Sequence, residues 1–230
     1  MRTTGRSSPA AQSHGSIFLI NSLSIWWQAG GSHACHQAKG ALHLASSRAG
    51  RTGTLITEVP TAGDGRYATI LADPPWNIQQ KGGRSAERHY PLMGLEAITA
   101  LRVDRLAAEN SHCWLWVTNA SVHAGEEVLA AWGFTYRSIL TWIKPRLGLG
   151  NYLRNQGEHI LLGTRGRAPV QSRGQGSWFY APQQDHSHKP EEQFAIIERC
   201  SPGPYLELFA RRKRPGWHAW GNEVDCDVAL

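Results

Sequence analysis

Cysteine is scarce in this 230-residue chain: Cys35, Cys113, Cys200 and Cys226 are scattered, with no C-x-x-C pair. That spacing argues against a disulfide scaffold and against a cysteine-based zinc site, and it fits a reducing, cytoplasmic compartment. No apolar run approaches the roughly 20 residues that a helix needs to cross a bilayer, so no membrane role is expected. Charge is sparse as well, at 18% of residues against 41% hydrophobic, a balance that supports a packed core and not a disordered chain. Acidic side chains are missing altogether before Glu58. Arg2, Arg6, Lys39, Arg48 and Arg51 therefore give the first 57 residues a charge of +5, while the remaining 173 carry only +1. The overall +6 describes the head of the chain and not a basic catalytic domain.

The head is rich in Ser, Gly, Ala and His around one apolar island, Ile17 to Trp27. An acid-free N-terminus with Arg and Ser is similar in composition to an organelle transit peptide, which leaves an organelle or nuclear location open. The plainer expectation is a poorly ordered extension over residues 1–60 followed by one domain over 61–228. His33, Cys35, His36 and His43 lie close together without the ligand spacing of a zinc site, so no metal is expected.

From Tyr67 the pattern changes to short apolar runs between helical stretches. Tyr67–Ala72 is a continuous, partly β-branched run and predicts a buried strand. Further strands are predicted over 113–117, 136–143, 159–163, 205–209 and 217–220. Helices are predicted over 95–109, over 125–132 with Gly133 as the stop, and over 190–200 with Pro190 in the first turn. Strands alternating with helices imply an α/β fold, a mostly parallel sheet with helices on both faces. Of the ten tryptophans, Trp114, Trp132 and Trp142 are assigned to the core.

The first strand runs directly into Asp73-Pro74-Pro75-Trp76. Sites of open α/β sheets lie at the carboxyl ends of strands. Two prolines in a row fix φ and remove two N–H groups, which makes a stiff turn. Such a turn holds the Asp73 carboxylate and the Pro74 carbonyl in place beside the flat face of Trp76. These groups suit a planar base with an exocyclic amine. Two acceptors on the amine hydrogens favour a pyramidal nitrogen and so stabilise the transition state of its attack, while the indole holds a base taken out of its stack. A strand-ending turn with a capping Asp is the structural alternative for these four residues.

Beyond this motif stand His89-Tyr90-Pro91-Leu92-Met93, Leu115-Trp116-Val117-Thr118, Trp142-Ile143-Lys144, Gly157 to Gly163, His186 to Pro190, Ile197 to Gly203, Glu207 to Arg211 and Trp217 to Asn222. In this order, over about 160 residues from Tyr67 to Asp225, the chain resembles the MT-A70-type adenine-N6 methyltransferases, among them an mRNA adenosine methyltransferase subunit and bacterial and phage DNA enzymes. The resemblance implies a Rossmann-like fold with permuted motif order and S-adenosyl-L-methionine as cofactor. It implies a methyl-transfer site at Asp73, Pro74, Pro75 and Trp76, with Tyr90 at its rim. Asp73, Lys189, Glu207, Phe209, Arg211, Asn222 and Glu223 would face the cofactor. Glu223 replaces a family Gln, and Arg212-Lys213-Arg214 replaces a family His-Asn pair.

An acidic residue at a strand end suits ribose hydroxyls, and a lysine before a helix suits an anion. Equally, Glu207 would serve as a partner for Arg211 and Lys189 as a solvated charge. Between Lys144 and Arg173 stand Lys144, Arg146, Arg154, Arg165, Arg167 and Arg173 against the single acid Glu158. This Gly-rich segment reads as one loop that grips phosphates, with Arg211 to Arg214 adding charge and Tyr152, Trp178, Phe179 and Tyr180 available for stacking. The expected function is adenine-N6 methylation of DNA. RNA methylation, cytosine-N4 methylation and a non-catalytic nucleic-acid-binding partner are the alternatives, and a homodimer or heterodimer is compatible with each.

Overall fold

A computed structural model describes residues 66–77, 92–148, 150, 152–184 and 188–230. The expected extension over 1–60 and Tyr90 lie outside the described residues. The elements are β1 (Tyr67–Ala72), α1 (Leu95–Thr99), α2 (Val103–Leu106), β2 (Ala107–Val117), α3 (Val122–Ala131), β3 (Thr135–Ile143), β4 (Gly157–Arg165), β5 (Trp178–Tyr180), α4 (Glu192–Cys200), β6 (Tyr205–Leu208) and β7 (Trp217–Trp220).

The strands form one seven-stranded sheet in the order β5-β3-β4-β2-β1-β6-β7. Neighbours pair in parallel except where β4 meets β2 and β3. The expected mostly parallel α/β sheet, a Rossmann-like methyltransferase arrangement, is thus observed, with β4 as the one reversed strand among those described. β1 sits centrally between β2 and β6, with Ile70, Leu71 and Ala72 almost wholly excluded from solvent. Its carboxyl end therefore opens between two parallel neighbours, where the ends of the strands leave a crevice.

Three predicted elements need correction. The helix expected over 95–109 breaks after Thr99, because Arg102 leaves helical geometry (φ −83°, ψ 50°), and the chain is extended from Ala107 onward. Residues 107–112 lack an apolar alternation; they join the strand through pairing, Ala107 with Tyr67 of β1 and, beyond an irregularity, Ser111 with Arg165 of β4. Pro190 precedes α4 instead of entering its first turn, and its carbonyl accepts a bond from Gln193 N–H at 3.3 Å. β6 also stops one residue early, since Phe209 takes a left-handed φ of 64°.

Tryptophans build the face of the sheet under α4. Trp114, Trp116 and Trp142 pack there with Phe194, Ile197 and Cys200, all buried. Burying an indole leaves its N–H in need of an acceptor. Trp114 donates to Ser201 Oγ, Trp116 to Gln193 Oε1 and Trp142 to the Ala181 carbonyl, each within 3.0 Å. The predicted core tryptophans are all core: Trp132, on the α3 side, donates to the Ile98 carbonyl at 3.0 Å.

On the opposite face α3 lies unusually close to the strands. A Cβ on Gly125 would stand 2.5 Å from Val117 Cγ1 and 2.8 Å from Leu161 Cδ1. Gly125→Ala is therefore expected to destabilise the domain by about 1–2 kcal/mol despite alanine's better helix propensity, because overpacking a filled core costs about 1–3 kcal/mol. A lower urea midpoint at an unchanged m-value would show it; a raised midpoint would mean that α3 can lift off the sheet at little cost.

Candidate active site

Asp73 follows β1 directly, and its N–H points to the Leu208 carbonyl of β6 at 3.5 Å. The two prolines supply no donors, so the turn is closed by its neighbours. Trp76 N–H donates to the Pro74 carbonyl at 2.9 Å, Met93 N–H to the Pro75 carbonyl at 2.8 Å, and Asn77 N–H to the Met93 carbonyl at 3.0 Å. The indole of Trp76 is held in turn by its N–H on the Trp116 carbonyl at 2.9 Å. Pro74 is thus an acceptor already in use once, with one lone pair left for a ligand.

Four charges of alternating sign run across the crevice. Lys189 Nζ lies 2.9 and 2.7 Å from the two oxygens of Asp73 and 3.6 Å from Glu158 Oε2. Lys144 pairs with the other oxygen of Glu158. Both ammonium groups also sit over indoles, Lys189 at 5.0 Å from the Trp116 ring and Lys144 at 4.7 Å from the Trp142 ring. Burial pushes the Asp73 carboxyl above the ordinary range, and Lys189 offsets only part of this. Glu158 is buried too, but two lysines outweigh the burial and hold it below the ordinary range.

Glu207 completes the group. It pairs in register with Leu71 of β1, so it emerges on the same face as Asp73, two residues further along that strand. Its carboxyl is pushed up to about 7, first by burial and then by the negative charge of Asp73. Unlike every other acid of the crevice it has no cation and no hydrogen-bond donor among the described residues. The expected pairing of Glu207 with Arg211 is not formed: Arg211 holds Glu223 at 2.9 Å. Asp73, Glu207, Phe209, Arg211, Asn222 and Glu223 do come together, at the adjacent carboxyl ends of β1, β6 and β7. Phe209 stacks edge-on against Trp220, with ring centroids 5.4 Å apart.

The basic residues are placed differently from the sequence reading. Lys144 is engaged by Glu158 and belongs to the crevice. β4 then carries the chain across the sheet, so Arg146 and Arg154 stay at the carboxyl end while Arg165, Arg167 and Arg173 stand at the other. The six do not form one loop. Arg211 to Arg214 is paired in place: Arg211 with Glu223, Arg212 and Arg214 both with Glu191, and Lys213 with Asp227. Of the aromatic residues offered for stacking, Phe179 is core, whereas Tyr152, Trp178 and Tyr180 are exposed. The residue missed by the sequence reading is Glu158. Its signal was there, as the one acid in a basic segment.

Comparison with known proteins gives the family. The chain is 34% identical over 173 residues to the N(6)-adenosine-methyltransferase MT-A70-like protein of Drosophila melanogaster, covering 70% of this chain and 27% of that protein. It is 31% identical over 173 residues to the human N(6)-adenosine-methyltransferase catalytic subunit METTL3, covering 70% of this chain and 29% of that protein. Against the Type II methyltransferase M.MunI of a Mycoplasma species the identity is 26% over 182 residues, with 69% of this chain and 78% of that protein covered. The chain thus spans less than a third of the two adenosine methyltransferases. The sequence pattern of the MT-A70 family matches residues 67–223, which hold every strand and helix described above, and the chain belongs to that family.

Proposed function

We propose that the chain transfers a methyl group from S-adenosyl-L-methionine to the exocyclic N6 amine of adenine in DNA. The observation that carries this reading is the placement of Asp73, on a turn closed at every step, beside Glu207, a carboxyl with no cation or hydrogen-bond donor among the described residues. The donor set fits the cofactor: Glu207 would accept the ribose hydroxyls, and Asn222 at the end of β7 would add a polar contact. Bound S-adenosylmethionine would supply an electrophilic methyl on sulfur. Asp73 and the remaining lone pair of Pro74 would take the two amine hydrogens, and Trp76 would hold the base flat. Lys189 keeps the Asp73 carboxylate aimed and compensates its charge in a site of low polarity. As N6 gains its methyl and a positive charge, the raised Asp73 carboxylate is the nearest base for the departing proton.

Labelled S-adenosylmethionine with DNA and with RNA, followed by nucleoside analysis, tests the proposal. N6-methyldeoxyadenosine is expected. Label in N4-methylcytosine would overturn it, and label in N6-methyladenosine of RNA alone would support the second reading, which the adenosine methyltransferases among the relatives favour. The broad match to the Type II methyltransferase supports DNA.

Glu207 gives a separate handle. A carboxyl that accepts a hydroxyl hydrogen on each of its two oxygens must be ionised, so cofactor affinity is expected to be full above pH 7 and to fall as pH drops through about 7. Glu207→Gln should weaken cofactor binding at least tenfold, in line with about 1.5–3 kcal/mol for charged hydrogen bonds, and remove the pH dependence. The same change should raise the melting temperature at pH 8. A carboxyl whose range is lifted on folding destabilises the folded state as pH climbs from its ordinary 4.5 through about 7. Calorimetric titration and thermal melts at pH 6 and 8 would check both effects.

A further inference from the structure

Where the chain leaves β4, Arg137, Thr164, Arg167, Val170 and Arg173 contribute to a cavity of about 460 Å³ with no acidic residue in its wall. None of its three arginines has a carboxylate within 4 Å among the described residues, whereas each cation of the 211–214 run has one. The wall is also fixed in advance. Arg137 Nε donates to Thr164 Oγ1 at 2.8 Å, which orients its guanidinium and leaves the two terminal nitrogens without partners among the described residues. The segment bearing Arg167 and Arg173 is tied at three points, two on β2 and one on the end of α4. Arg167 N–H donates to Asn110 Oδ1 at 2.6 Å, and Gln171 N–H to the Cys200 carbonyl at 2.8 Å. His112 Nε2 donates to the Ala168 carbonyl at 2.7 Å, while its Nδ1 takes the hydroxyl of Ser201, itself an acceptor for Trp114. Arg165, the last residue of β4, is held separately, its guanidinium donating to the Asp104 carbonyl of α2 at 2.8 Å.

We propose that Arg137, Arg167 and Arg173 form a second phosphate-binding site, which holds the backbone of the DNA away from the base being methylated. The inference rests on the nucleic-acid reading above. Guanidinium forks match phosphate oxygens in pairs, and a preformed cavity loses little on binding. A polymer is favoured over a small anion by position. Arg137 precedes Lys144 of the crevice by seven residues of extended chain, a separation of about 23 Å. That spans six or seven nucleotide steps of roughly 3.4 Å each. Arg167 and Arg173 are exposed, as contact with a duplex lying outside the protein requires. One substrate long enough reaches both sites; a short one reaches only the first.

Salt titrations on duplexes of 8 and 24 base pairs, each with its only A·T pair at the centre so that the arms of the short one end about 14 Å from the base, test this, with wild type, the triple variant Arg137→Gln/Arg167→Gln/Arg173→Gln, and the double variant Arg167→Gln/Arg173→Gln. The double variant spares the Arg137–Thr164 bond in case its loss disturbs folding. Each phosphate contact contributes about 0.9 to the slope of log affinity against log salt. The slope on the long duplex is expected to fall by about two to three in the triple variant and by nearly two in the double one, with the short duplex unaffected. Equal slopes for wild type and double variant on the long duplex would overturn the site. Pyrophosphate that binds wild type but not the variants, without displacing the long duplex, would make it a small-anion site and overturn it as well. A wild type that binds no nucleic acid of either length would instead remove the reading on which the inference rests.

Discussion

Asp73→Asn is expected to lower the rate of methyl transfer by about 10²–10⁴, the range in which a positioned proton acceptor or an oriented charge acts. The change keeps the size of the side chain and one acceptor oxygen, and it removes the charge that Lys189 holds through both oxygens. Because burial already lifts the Asp73 carboxyl above its ordinary range, the fold has little to lose. The melting temperature should stay level or rise. Cofactor affinity should hold within a few-fold or improve, since the charge of Asp73 is one of the two influences that keep Glu207 in its acid form. Single-turnover rates beside calorimetric binding would separate chemistry from binding. A rate within tenfold of wild type would falsify the mechanism proposed for Asp73.

Lys189→Met should have the next largest effect, and its signature is a pH profile. In the folded protein Lys189 is the cation common to Asp73 and Glu158. Without it, both carboxyls keep their burial and gain each other's repulsion, with only Lys144 left on Glu158. Both should titrate at higher pH than in wild type. If ionised Asp73 is the active form, the acid limb of the rate profile moves upward. A loss of about 10²-fold or more near neutrality, recovered in part at alkaline pH, is the expected outcome. Lys189→Arg, which retains the charge, should restore the limb to its place. A uniform loss at all pH values, unrelieved by arginine, would make Lys189 a contact to the cofactor alone.

The sequence made the chemical end of this fold legible for a local reason. An apolar run ending in Asp-Pro-Pro-Trp states a strand, its stop and a stiff turn within ten residues, and each of those effects acts on its own neighbourhood. The same holds for Trp114, Trp132 and Trp142, whose bulk leaves them few places but a core. Charge was harder to read. The six cations from Lys144 to Arg173 look like one loop when counted along the chain, and only the pairing of β4 between β2 and β3 shows that they stand at opposite ends. Glu158 was masked by the same count. The helix expected over 95–109 fails because Leu95, Ile98, Leu101 and Leu106 keep a helical spacing that says nothing of the backbone at Arg102. β5 is three residues long and owes its form to β3 alone, so no window of sequence could announce it.

The reversal of β4 makes the domain easy to re-engineer. A chain that enters a strand at one pole of a sheet and leaves at the other hands each pole its own loop. Among the described residues, 144–148, 150 and 152–156 lie at the pole of the Asp73 crevice, and 166–177 hold the distant Arg167 and Arg173. On the proposed function, a graft at the first would change which base and flanking steps are admitted, and a graft at the second would change how far along the duplex the proposed grip extends. Target choice and reach can thus be exchanged between relatives separately, with the strand between them serving as a constant frame.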